Sequence, residues 1–141
     1  MLFRSRSNRP LGVYFLEVGA VMRPSSISYN RSHSAFSEIQ PTMVNWEKSL
    51  ENGNWLHWTG ITPALCKGSY ETLKEGLKLA RKKGLNISAD PTYRSGLWKY
   101  GVDPKIALKE LLQFSTIFIG GINEMNEVLE TEFDYSNEHF I

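Results

Sequence analysis

The stretches Trp58-Thr-Gly-Ile-Thr-Pro-Ala-Leu65 and Ser88-Ala-Asp-Pro-Thr-Tyr-Arg-Ser-Gly-Leu-Trp98 decide the fold. Each reads as a strand running out into a loop, and the segment between them has the period of a helix. In Lys67–Lys83 the apolar residues fall at Leu73, Leu77 and Ala80, flanked by Tyr70 and Leu79. Arg81-Lys82-Lys83-Gly84 closes that helix, with cations in the last turn and glycine just past it. Strand, helix, strand is the βαβ unit of a parallel sheet. Its loops lie at the carboxyl ends of the strands, where open α/β sheets bind ligands.

Working outward, Trp55–Thr59 reads as a buried strand and Asn86–Ala89 as the next one. A helix over Asp103–Gln113, a strand over Thr116–Ile119 and a helix over Asn123–Leu129 follow. Upstream, Gly12–Val18 and Ser26–Arg31 are β-rich and joined by a Gly/Pro/Ser turn, which predicts a hairpin. Pro41-Thr42 opens a short helix carrying Val44, Trp46 and Leu50, closed by Asn52-Gly53. The expected organisation is a disordered segment 1–10, a β-hairpin at 11–34, and a partial α/β core of parallel strands flanked by helices at 35–141. Both edges of such a sheet are open, and open edges invite pairing.

Composition narrows the function classes. The 141 residues suit one domain, and 41% hydrophobic with 22% charged residues is ordinary globular composition. A net charge of +1 supplies no general field for nucleic acid or an anionic membrane, and no apolar run approaches the ~20 residues of a membrane span. The basic start, with Arg4, Arg6 and Arg9, leads into no apolar run long enough for a signal peptide. A single cysteine, Cys66, cannot form an internal disulfide, which points to the cytoplasm. No histidine or second cysteine stands at zinc-ligand spacing, and neither a Walker A loop nor G-x-G-x-x-G is present.

The candidate chemistry is anion recognition. Arg94 lies in the loop after a strand and offers a planar fork to a carboxylate or phosphate; the bland alternative is a surface arginine paired with a neighbouring acid. Tyr29 and Arg31, two apart on a strand, project from one face, and Tyr14 is on the partner strand. Hydroxyls beside a cation suit a hydroxylated acid, although aromatics also favour strands because they pack well there. In Thr59-Gly60-Ile61 the backbone can approach a ligand closely, while a plain strand-to-helix turn would select the same glycine and proline. His57, between two tryptophans, reads as a packed, satisfied histidine, and Gly120-Gly121 before a helix could approach a phosphate.

These pieces resemble the PfkB/ribokinase family of sugar kinases, and within it the 2-keto-3-deoxygluconate kinases. The resemblance rests on Gly12-Val-Tyr-Phe15, Arg23-Pro-Ser25, Tyr29-x-Arg31, Ser34-Ala-Phe-Ser37, Thr59-Gly-Ile-Thr-Pro-Ala-Leu65 and Tyr93-Arg94 with Leu97-Trp98, and runs from about Arg9 to Leu129. It implies a ribokinase-like, Rossmann-like sheet whose hairpin is a lid, often also used for dimerisation. It implies a sugar-acid substrate held by Tyr14, Tyr29, Arg31, the Ile61 backbone and Arg94. It further implies ATP, with Thr92 and Gly121 on the nucleotide side, and Mg near Glu124.

The family's catalytic aspartate sits in a Gly-Ala-Gly-Asp loop, and this sequence has none. Asp90-Pro-Thr-Tyr-Arg94 carries Thr92 where many relatives have asparagine, and Gly121-Ile-Asn-Glu124 keeps the acid of an Asn-x-x-Glu motif without its asparagine. The expectation is therefore a central kinase segment that is inactive alone. A non-catalytic α/β module that associates through lid or sheet edges stands as one alternative. A kinase for a neutral sugar is another, disfavoured because it gives two arginines no anion.

Overall fold

The computed structural model describes residues 7–132. The expected disorder of 1–10 falls largely outside that range. Residues 7–10, which are described, are tied to the rest: Arg9 pairs with Glu38, and the Pro10 carbonyl accepts from the Ala35 amide at 2.8 Å.

Strands β1 (Val13–Glu17) and β2 (Ser26–Asn30) pair antiparallel, with Tyr14 opposite Tyr29 and Leu16 opposite Ile27. A second sheet contains β3 (Trp55–Thr59), β4 (Asn86–Asp90) and β5 (Ile117–Phe118), all parallel, with β4 in the middle. Helices α1 (Trp46–Ser49), α2 (Ile61–Ala64), α3 (Lys67–Lys82), α4 (Pro104–Leu112) and α5 (Ile122–Leu129) complete the molecule with two short 3-10 turns, Phe36–Glu38 and Pro41–Met43. This is the expected α/β arrangement of a parallel sheet with helices and a hairpin.

Local chemistry fixes the helix ends. Asp103 caps α4 by accepting from the amides of Lys105 and Ile106, and Pro104 fills the first helical position, where no amide is needed. Cys66 caps α3 through its sulfur, which accepts from the Ser69 amide at 3.3 Å, while Ser69 Oγ accepts from the Cys66 amide. Gly84, at φ 75°, ends α3 in the left-handed region that only glycine occupies without strain.

One face of the sheet holds the core. Trp58, Ile87 and Ala89 pack beneath Leu73, Leu77 and Ala80 of α3, Leu108 and Leu111 of α4, and Val128 of α5. Burying a leucine or isoleucine fully, as at Leu77, Ile87, Leu108 and Leu111, stabilises by about 1.5–3 kcal/mol each. Three expectations need correction. β3 is not a buried strand, because only alternate residues reach the core: Trp58 is buried while Trp55 is 50% exposed. His57, on the same open face, is exposed rather than packed, although its Nδ1 lies 2.8 Å from Ser88 Oγ. The Pro41–Leu50 stretch forms a 3-10 turn and a single α turn, not one helix, because Asn45 caps α1 by accepting from the Lys48 amide.

The segment before β3 is clamped onto α3 through glycine notches. Trp46 donates its indole N–H to the Thr72 carbonyl at 2.9 Å, and its ring lies where a Cβ on Gly76 would come within 2.5 Å. On an exposed helix, Gly→Ala would stabilise by roughly 1 kcal/mol. Here overpacking, typically about 1–3 kcal/mol, dominates. Gly76→Ala is therefore expected to lower stability by about 1–2 kcal/mol, read as a reduced urea midpoint with unchanged slope.

Candidate functional site

Because β3, β4 and β5 run parallel, the segments leaving their carboxyl ends gather at one end of the sheet. They are the β3–α2 turn at Gly60-Ile61, the loop of Pro91–Val102, and Gly120-Gly121 before α5.

The first two are locked together. The Gly60 amide donates to the Asp90 carbonyl at 2.7 Å, and a Cβ on Gly60 would sit 2.6 Å from the Thr92 carbonyl. Glycine is required there for close approach, its φ of −62° being ordinary. Asp90 Oδ1 accepts from both the amide and the hydroxyl of Thr92, at 3.1 and 2.5 Å. Tyr100 donates its hydroxyl to the Pro63 carbonyl at 2.5 Å and stacks on Trp98, with ring centroids 6.0 Å apart. Burial pushes the Tyr100 hydroxyl up to about 12, so it stays a donor across all ordinary pH. Ile61, expected in a loop, is the first residue of α2, a helix of four residues containing Pro63.

On this braced loop Arg94 is exposed, and no hydrogen bond or ion pair engages its guanidinium among the described residues, whereas six ion pairs form elsewhere. The bland reading, an arginine neutralised by an adjacent acid, does not describe it. The hairpin trio is also assembled as expected. The Tyr14 and Tyr29 rings lie 6.2 Å apart, and the Arg31 guanidinium sits 4.4 Å from the Tyr29 ring centroid. That contact orients the cation and leaves its in-plane N–H groups for an anion. A Cβ on Gly12 would meet Arg31 Cγ at 3.2 Å, so glycine there makes room for the arginine. No hydrogen bond or ion pair joins this trio to Arg94 among the described residues.

Gly121 and Glu124 meet at the start of α5, where Glu124 Oε2 accepts from the Gly121 amide at 3.2 Å. The Thr92 hydroxyl is given to Asp90. No cluster of three or more His, Cys, Asp or Glu side chains suited to a metal occurs among the described residues. Sequence reasoning missed Asp90 and Tyr100 as braces. The Asx-turn spelling Asp90-Pro91-Thr92 was a usable signal for the first; nothing local marked the second.

No family model matches the chain. Over 123 residues it is 29% identical to a 2-dehydro-3-deoxygalactonokinase of Haloferax volcanii, covering 87% of this chain and 38% of that protein. Its structure matches that of a 2-dehydro-3-deoxygluconokinase from Thermotoga maritima with a TM-score of 0.82 at 34% identity, covering 95% of this chain and 40% of that one. A PfkB family carbohydrate kinase from Listeria grayi matches with a TM-score of 0.80 at 28% identity, covering 90% and 39%. The chain thus spans about two fifths of the length of these relatives. No helix among the described residues is long and apolar enough to cross a membrane.

The Tyr100 brace has a pH signature. Its folded pKa is raised, so its stabilising contribution is complete below the unfolded tyrosine value of about 10. The contribution is lost as pH rises from there through about 12. Tyr100→Phe is expected to destabilise the chain at neutral pH and to reduce its alkaline loss of stability, measured by urea unfolding at pH 7 and 10.5. In sequence and in architecture the chain resembles PfkB-type carbohydrate kinases, and it spans about two fifths of the length of these relatives.

Proposed function

We propose that this chain is the sugar-acid-binding part of a kinase that transfers the γ-phosphoryl group of ATP to 2-keto-3-deoxygluconate or a close stereoisomer. The observation that carries the reading is the pair of exposed arginines, Arg31 and Arg94, without a carboxylate partner among the described residues. A neutral sugar offers them no anion, whereas a sugar acid offers one carboxylate. The names of the Haloferax volcanii and Thermotoga maritima relatives denote kinases of 2-keto-3-deoxy sugar acids, which supports the same substrate class.

In this reading Tyr14 and Tyr29 contact the sugar hydroxyls from the lid, Arg31 and Arg94 hold the carboxylate, and Ile61 contributes its backbone. Thr92 and Gly121 border the nucleotide, and Glu124 stands nearest the magnesium that ATP brings. ATP with its metal supplies the transferable phosphoryl group; this chain's residues orient the acceptor. Phosphoryl transfer depends on positioning and charge neutralisation. No Gly-Ala-Gly-Asp motif supplies a base here, so the chain alone does not turn over. Two copies associate through the hairpin, whose Tyr14, Leu16, Ile27 and Tyr29 are each more than half exposed on one face. The reaction is cytoplasmic, consistent with one unpaired cysteine.

A chimera tests the substrate. Residues 7–132 replace the matching stretch of the Thermotoga maritima enzyme, and steady-state kinetics are measured with ketodeoxygluconate and with a neutral ketose. Removing one charged hydrogen-bond partner costs about 1.5–3 kcal/mol, roughly a ten- to hundredfold rise in KM. Arg94→Ala is expected to show that rise for the acid, little change for ATP, and only partial rescue by lysine, which lacks the fork. Equal weakening of both sugars would remove the carboxylate assignment.

In the same assay the unmodified 141-residue chain is expected to give no ATP-coupled turnover of ketodeoxygluconate. Turnover at ordinary kinase rates, about 1–100 per second, would show that a base is present after all.

A further inference from the structure

The chain has four tryptophans, each with one indole N–H. Three of them donate it: Trp46 to the Thr72 carbonyl at 2.9 Å, Trp55 to Ser88 Oγ at 2.8 Å and Trp58 to Ser115 Oγ at 3.0 Å. Trp98 does not. Its Nε1 is the one buried side-chain nitrogen or oxygen among the described residues that has no hydrogen-bond partner. An indole nitrogen donates and cannot accept, so a hydrogen without an acceptor gains nothing in return for leaving water. An unmet buried donor disfavours the conformation that holds it by roughly tenfold to hundredfold. Such a group in a folded protein needs a physical reason, and a donor reserved for a ligand is one.

The place of Trp98 in the chain indicates which ligand. It lies four residues after Arg94, in the same loop beyond β4. Both ends of this loop are fixed, Thr92 on Asp90 and Tyr100 on Pro63, and the Trp98 ring stacks on Tyr100 with 29° between the planes. Between the braces the backbone makes a turn, in which the Leu97 amide donates to the Arg94 carbonyl at 3.0 Å. Gly96 sits inside that turn, and neither packing nor backbone angle demands a glycine there. A Cβ on it would meet nothing within 4 Å, and its φ lies outside the left-handed region. What glycine adds at such a position is conformational freedom. The span that joins Arg94 to Trp98 is thus pinned at its ends and free to adjust in the middle.

We infer that Trp98 is a specificity-determining residue. When Arg94 takes the carboxylate of a sugar acid, the indole turns within the span that contains Gly96 and donates its N–H to the same carboxylate. The inference rests on the sugar-acid reading above and adds to it a second donor from the same loop. A carboxylate has lone pairs enough to accept from a guanidinium and an indole together. A hydrogen bond to an ionised acceptor is also about twice as strong as a neutral one. The unmet donor therefore favours an acid over a neutral sugar, whose hydroxyls accept more weakly.

A single-atom exchange tests it without disturbing the packing. Benzothienylalanine at position 98 keeps the shape of the ring and replaces its N–H by sulfur. In the 141-residue chain without ligand, the urea midpoint is expected to stay the same or rise, because an unmet donor has been removed. A lowered midpoint would show that the N–H already has a partner, a buried water included, and would overturn the inference. In the chimera described above, the same exchange is expected to raise KM for ketodeoxygluconate about tenfold or more. KM for ATP and for the neutral ketose should not change. Gly96→Ala should leave the urea midpoint of the chain in place and raise KM for the acid alone. Arg94→Ala, measured beside them, separates the two ideas. If it raises KM for the acid alone while the sulfur variant affects neither sugar, or both alike, the role of Trp98 is refuted and the sugar-acid reading stands. If Arg94→Ala weakens both sugars equally, that reading falls, and the role of Trp98 falls with it.

Discussion

Everything in this molecule depends on β4 lying in the middle of a parallel sheet. Ile87 and Ala89 are fully buried beneath three helices, and the strand is bonded on both sides: the Ile87 and Ala89 carbonyls accept from the Thr116 and Ile119 amides on the β5 side, while on the β3 side the Asn86 amide donates to the Asn54 carbonyl and the Asp90 carbonyl accepts from the Gly60 amide. Parallel pairing forces each connection to return along the length of the sheet, so every strand ends at the same side and every connection carries a helix. The core and the candidate site are two consequences of that one constraint. The helices fill one face, and the loops gather at one end.

At that end, rigidity is concentrated beneath a free cation. The loop carrying Arg94 is held by Asp90 through Thr92, by Gly60 pressed against the Thr92 carbonyl, and by Tyr100 anchored on Pro63. A guanidinium on a braced loop loses less freedom on binding an anion than one on a loose tail, and pre-organisation of this kind raises affinity without new contacts. The hairpin achieves the same for Arg31 by a different route, resting the guanidinium on the Tyr29 ring. Elsewhere among the described residues six ion pairs form. Lys74 holds Glu110 between α3 and α4, and the lysine, followed by the Tyr70 hydroxyl, draws the Glu110 carboxyl below its ordinary range.

The hairpin and the open sheet face both present apolar surface to solvent. An isolated two-stranded hairpin is marginal in water, and Tyr14, Leu16, Ile27 and Tyr29 are exposed along one side of this one. Trp55 and Ile117 are exposed on the sheet. Both surfaces are apolar in their outward atoms, and exposed apolar surface of this kind marks a place of contact.

How much of this was legible beforehand varied with the length of the signal. The sequence determined α3, α4 and β4 nearly to the residue, because sixteen residues of 3.6 period, an Asp-Pro cap and the glycine stop at Gly84 just before β4 are local properties. It also determined which residues could recognise an anion, since Tyr29-x-Arg31 and Tyr93-Arg94 need only a strand and the loop beyond it. It did not reveal that β3 buries one face only, because Trp-Leu-His-Trp is equally apolar whether one face is covered or two. Nor did it mark α2, whose four residues are too few for any period to show. Whether Arg94 is neutralised by a neighbouring acid was also open, since ion pairing depends on which carboxylates the fold brings within about 4 Å. Those were decided only by tertiary structure, because coverage and pairing are relations between segments far apart in the chain, and no window of sequence contains both partners.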